Sequence, residues 1–206
     1  MESLLIFILD LFGTAVFAVT GAVKGVRHKL DIFGVTVLAC CVGVGGGMVR
    51  DCIIGTTPVA ALRNEQYILI CIATGIAVFY TAKYWMRYRD IIQFGDAVGL
   101  GVFTALGAQK GFACDLSFTG IVLCGVFTAI GGGIIRDVLV GTVPAVLKSD
   151  FYATASLIGG ILFCLLLPLK LPFFPMFLII AGTVTGIRLL AIHFRIQLPA
   201  AGHAKP

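Results

Sequence analysis

Two Arg-Asp pairs, Arg50-Asp51 and Arg136-Asp137, stand inside runs that are otherwise apolar. Each follows a glycine triplet, Gly45-Gly46-Gly47 or Gly131-Gly132-Gly133. Charges in apolar runs face an interior or a hydrated cavity, and they pair. Adjacent residues on a helix point about 100° apart. Cross-pairs are therefore expected: Arg50 with Asp137, and Arg136 with Asp51. A structural ion pair and a place in an ion path are both open to these residues, and the two roles are compatible. Each glycine in a helix interior costs about 1 kcal/mol relative to alanine. A triplet can therefore break the helix and turn freed carbonyls toward a cavity, or let two helices pack closely. Two matched triplets, each followed by Arg-Asp, favour the cavity-lining break.

Other polar residues extend the pattern. Asp10 and Asp96 are carboxylates within apolar runs, where they could draw cations to a vestibule or bond backbone amides. Lys24 reads as a snorkelling side chain at a span end, whereas Lys110 is placed to guard a pore mouth. Thr56 and Thr142 precede Pro58 and Pro144 by two residues, so helices should stop there. Their hydroxyls could line a polar exit or satisfy the terminal carbonyls. Gly182 and Gly186 make a GxxxG packing face. Seven cysteines lie mostly in apolar runs without a CxxC pair and read as small packing residues. No catalytic or metal-binding signature is present, and the three histidines (His28, His193, His203) are scattered. Catalytic residues, metal ligands and cofactors are thus expected to be absent, and the chain does not read as an enzyme.

The elements that carry these residues occur twice. With an offset of 86, Asp10 maps to Asp96, Gly13 to Gly99, Phe17 to Phe103, Lys24 to Lys110, Gly55 to Gly141 and Pro58 to Pro144. Between 10 and 25, 8 of 16 positions are identical to their partners, and between 45 and 58, 8 of 14 are, with no gap required. The chain is two copies of one unit and a remainder.

Of the 206 residues, 59% are hydrophobic and 12% charged, and mean hydropathy is +1.07. A soluble domain carries about twice that charge. An all-α integral membrane protein is expected, as one membrane domain over 1–206. Seven apolar runs are each long enough to span, roughly 3–23, 32–54, 67–86, 91–109, 117–140, 151–169 and 172–192. They divide into a three-helix repeat (1–86), a second three-helix repeat (87–171), and a seventh helix with tail (172–206). Because three is odd, the second repeat enters from the opposite side, which makes the repeats inverted. No cleavable leader is expected, since no basic stretch precedes the first run. Lys24, Arg27, Lys29, Lys83, Arg87, Arg89, Lys148, Arg188, Arg195 and Lys205 fall on one side, against Arg63, Lys110 and Lys170 on the other. The N-terminus is therefore expected outside and the C-terminus in the cytoplasm. The net charge of +5 follows from topology and does not imply nucleic acid.

Two copies of Gly-Gly-Gly-x-x-Arg-Asp in three-span units, followed by a seventh span, resemble the bacterial branch of the trimeric intracellular cation channel family. Relatives also carry a glycine-transporter-type domain name. The resemblance covers about Leu4 to Phe194. It implies an inner-membrane homotrimer in contact with lipids, with one pore per subunit around kinked second and fifth spans. The permeant ions it implies are monovalent, chiefly potassium, with Na+ possible. On this reading Gly45–Gly47, Gly131–Gly133, Asp10, Asp96, Lys110, Thr56 and Thr142 belong to the pathway. Arg50, Asp51, Arg136 and Asp137 form its ion pairs. A small-solute carrier, for example for glycine, is the competing reading: helix N-termini at a break could hold a carboxylate and freed carbonyls an amine. A passive scaffold accounts least well for charges inside spans.

Overall fold

The computed structural model describes residues 2–87, 90–148, 151–194 and 196. Arg89, Arg195, His203 and Lys205 lie outside the described residues. Among those described there are ten α-helices and no strand: α1 Glu2–Arg27, α2 Ile32–Ile53, α3 Ala60–Arg63, α4 Gln66–Tyr80, α5 Ala82–Arg87, α6 Ile91–Ala113, α7 Phe118–Leu139, α8 Ala145–Lys148, α9 Ala153–Leu166 and α10 Phe173–His193.

Local chemistry sets the helix ends in matched pairs. The Asp31 carboxylate accepts from the Gly34 amide at 2.7 Å and starts α2; the Ser117 hydroxyl accepts from Gly120 at 3.3 Å and starts α7. Both helices stop at a left-handed glycine, Gly55 (φ +72°) and Gly141 (φ +68°). The amide of the next residue reaches back to the helix, from Thr56 to the Asp51 carbonyl at 2.9 Å and from Thr142 to Asp137 at 2.8 Å. That is the Schellman closure, which glycine favours because it has no Cβ. The helices therefore end before Thr56 and Thr142, at the glycine and ahead of the proline.

Five helices, α1, α2, α6, α7 and α10, are long and apolar enough to cross a membrane; the apolar segments Gln66–Tyr80 and Ala153–Leu169 are shorter. A 15-residue helix rises about 22 Å, short of the roughly 30 Å hydrocarbon core. The expected run 67–86 is divided at Thr81, whose hydroxyl bonds the Ala77 carbonyl at 2.5 Å and receives the Trp85 indole N–H at 2.8 Å. The run 151–169 becomes α9 plus a 3-10 turn, Leu167–Leu169, where Pro168 supplies no amide for the α ladder.

The expected break at the glycine triplets is not there. Gly45–Gly47 and Gly131–Gly133 lie within uninterrupted α2 and α7, and their carbonyls stay in the helical ladder. Instead the glycines let the two helices touch. A Cβ on Gly46 would lie 2.1 Å from the Thr128 carbonyl oxygen, and one on Gly132 would lie 2.5 Å from that of Val42. Close approach is thus the use these glycines serve. Going from Val42 to Gly46 along α2, the facing residue goes back from Gly132 to Thr128 along α7, so the two helices run antiparallel. Arg50-Asp51 and Arg136-Asp137 therefore sit at opposite ends of the pair.

Around this crossing α1 packs on α2, α4 and α6, while α10 packs on α6 and α9. Phe17 and Phe103 meet at its centre with ring centroids 5.0 Å apart. Gly182 and Gly186 of α10 face open space within the subunit.

Candidate functional site

Two matching constellations, each of two aspartates, an arginine and a tyrosine, form at the two ends of the α2–α7 pair. At one end α1 contributes Asp10, α2 contributes Arg50 and Asp51, and α4 contributes Tyr67. The Tyr67 hydroxyl donates to Asp10 Oδ2 at 2.8 Å, and Arg50 Nε donates to Asp51 Oδ1 at 2.9 Å. At the other end α6 contributes Asp96, α7 contributes Arg136 and Asp137, and the start of α9 contributes Tyr152. Arg136 Nε donates to Asp137 Oδ1 at 3.0 Å, and its Nη1 donates to Asp96 Oδ1 at 2.5 Å and to Thr20 Oγ1 at 3.3 Å. Both arginines and Asp51, Asp96 and Asp137 are buried.

The expected cross-pairs between Arg50 and Asp137, and between Arg136 and Asp51, are not formed. The reach of the arginine side chain overcomes the angular offset: Nε turns sideways to the next residue's carboxylate. The opposite ends of an antiparallel pair also keep the proposed partners apart. Each carboxylate has a second duty. Asp51 Oδ2 accepts the Ala60 amide at 2.8 Å and Asp137 Oδ2 accepts the Ala145 amide at 2.9 Å, so each ties a short helix to the end of a long one. Contacts between the first and second halves of the chain do exist, through other residues: Lys24 Nζ lies 3.5 Å from Asp137, and Arg136 reaches Thr20.

The two ends differ in openness. A cavity of about 1120 Å3 leads to Asp96, Arg136 and Asp137, walled by Lys24, Arg27, His28, Asp90, Thr142, Arg188 and His193 among others. At the far end, a cavity of only about 10 Å3 is lined by Asp10, Thr14, Gly47, Arg50, Asp51, Tyr67 and Phe103. That is room for a single water at most. The wide cavity brings Asp96, Arg136, Asp137 and Thr142 together, and the narrow one Asp10, Arg50, Asp51 and Gly47. Thr142 also donates to the Asp137 carbonyl at 3.1 Å, so it satisfies a helix end and faces the cavity at once. Thr56, Lys110, Gly45, Gly46 and Gly131–Gly133 line neither cavity.

Three site residues escape a reading by motif. Arg188 on α10 is buried and lies over the Tyr152 ring, its guanidinium carbon 5.0 Å from the centroid. Tyr67 and Tyr152 recur at an offset of 85, as do Ala60 and Ala145, and Gly75 and Gly160. The alignment loses one residue after Pro58 and Pro144, and a fixed offset of 86 conceals the tyrosines.

These features define a class: a multi-pass helical membrane protein with charged clusters buried at both ends of one antiparallel helix pair. A family model described as Glycine transporter matches residues 7–83 and again 93–168, and the chain belongs to that family. A UPF0126 membrane protein of Vibrio cholerae is 38% identical over 97% of this chain and 84% of its own. The UPF0126 inner membrane protein YadS of Escherichia coli is 37% identical over 77% of each chain. A solved structure of the TRIC trimeric intracellular cation channel orthologue from Rhodobacter sphaeroides superposes with a TM-score of 0.87 at 30% identity, covering 93% of this chain and 99% of that one.

Proposed function

We propose that this protein is a cation channel that conducts monovalent cations, potassium among them, as a homotrimer with one pathway per subunit. Each subunit crosses an inner membrane seven times, with α4 and α9 as short crossings, as two inverted three-helix repeats followed by α10. The observation that carries the reading is the pair of buried ionic constellations at the two ends of α2–α7, each opening into its own cavity. The likeness to the Rhodobacter sphaeroides channel supports it. Asp10, Asp51, Asp96 and Asp137 supply negative potential along the pathway. Arg50 and Arg136 neutralise enough of it that a cation is not trapped, since conduction needs binding weak enough for release. Thr142 and Gly47 add polar or open wall, and Lys110 stands toward the narrow end. The wide cavity, walled in part by Lys24, Arg27, His28 and Asp90, faces the cytoplasm, with the N-terminus outside. Gly182 and Gly186 provide an uncovered seam for trimer contacts.

Single-channel recording in planar bilayers under a KCl gradient tests this. Unitary currents that reverse near the potassium potential are expected. Silence at all voltages, together with saturable uptake and counter-exchange of labelled glycine in liposomes, would establish the carrier that the family's description suggests.

A further inference from the structure

On α1, Asp10, Phe17 and Lys24 are spaced seven apart; on α6, Asp96, Phe103 and Lys110 repeat the spacing. Seven residues make nearly two turns, so each trio lies along one face of its helix. On α1 the outer members belong to different cavities, Asp10 to the narrow one and Lys24 to the wide one. They are separated by about 21 Å of helix rise, with the phenyl group at the midpoint. Phe17 is fully buried, and Phe103 is 2% exposed.

The two rings meet at this midpoint, between the levels of Asp10 and Lys24, with centroids 5.0 Å apart. Each is seated on a glycine of the facing helix. A Cβ on Gly99 would lie 2.1 Å from the Phe17 ring, and one on Gly13 would lie 3.1 Å from that of Phe103. Phe17 also rests against Gly132, at the α2–α7 crossing, 3.1 Å from where its Cβ would be. Phe103 forms part of the wall of the narrow cavity. Neither ring offers a group to replace a cation's water, and an apolar constriction stops ions by excluding water.

We propose that Phe17 and Phe103 form the hydrophobic gate of the pathway, held shut here on Gly99 and Gly13. The inference rests on the channel reading above. Opening requires the rings to leave the glycines so that water joins the two cavities.

A phenyl that merely fills a core and a phenyl that excludes water respond differently to polarity. Bilayer recordings of Phe103→Asn beside Phe103→Leu, and of Phe17→Asn beside Phe17→Leu, separate the two. The Asn forms hydrate the constriction and should raise mean potassium current by about tenfold over wild type, the equivalent of about 1.4 kcal/mol. The Leu forms keep it dry and should conduct well below their Asn counterparts at the same position. Using two positions guards against one variant failing to assemble. If assembled Asn variants conduct no better than their Leu counterparts while wild type conducts, the gate is wrong and the channel stands. If no form conducts, the channel reading falls and the gate with it.

Discussion

The carboxylates of the two constellations have the same sequence environment and different partners. Asp10 is held by a phenol, and Asp96 by a guanidinium. The Tyr152 hydroxyl is buried without a hydrogen-bond partner among the described residues. Removing a buried hydroxyl that makes no bond is near neutral or stabilising, whereas removing one bonded to a charged group costs about 1.5–3 kcal/mol. Tyr152→Phe should therefore leave thermal stability in detergent unchanged or raised, while Tyr67→Phe lowers it; equal losses would contradict the geometry. Asp96→Asn weakens a buried ion pair and should cost about 3–5 kcal/mol. The exposed Asp90→Asn, on the wall of the same cavity, should stay within about 0.5 kcal/mol. Unfolding in denaturant measured on both variants compares them directly.

Among the elements, α2 and α7 decide the architecture, and glycine lets them meet. At Gly46 and Gly132 an added methyl group would fall inside contact distance of a facing backbone oxygen, which cannot swing aside as a side chain tip can. Gly46→Ala and Gly132→Ala should each destabilise by about 1–3 kcal/mol through overpacking. Gly182→Ala faces open space in the subunit and should leave subunit stability unchanged. Melting temperatures of the three variants read this; a tolerant Gly132→Ala would show that the helices can separate without loss. The triplets illustrate how far element-level reasoning reaches. Glycine lowers helix propensity by itself, yet the packing that its small size permits outweighs that loss and keeps the helix intact.

For the whole molecule, the unequal cavities give the protein a direction. Cys52, ending α2, and Cys114, following α6, are exposed and lie toward the narrow-cavity end. On the proposed orientation that end faces outside. A membrane-impermeant maleimide added to intact cells should label both thiols in wild type and neither in the Cys52→Ser, Cys114→Ser double variant. Labelling that appears only after the cytoplasmic face is opened would invert the orientation.

The sequence by itself determined what depends on local composition and on comparison of the chain with itself. Apolar runs with few charges require a membrane. The 86-residue echo is a duplication, and Asp31, Ser117, Gly55 and Gly141 fix helix ends through neighbours within a few residues. The elements of the site were legible for the same reason, because Arg-Asp after a glycine triplet is written twice. What only the tertiary structure decided concerns partners far apart in the chain. The choice of Asp10 by Tyr67 across 57 positions, and of Asp96 by Arg136 across 40, follows from which helix faces meet. So do the continuity of α2 and α7, the shortness of α4 and α9, and the rings of Phe17 and Phe103 lodged on glycines of the facing helix. A local motif states that a charge needs a partner and a glycine admits a neighbour. Which partner and which neighbour is an energy shared among several helices, and it takes a value only once they are packed.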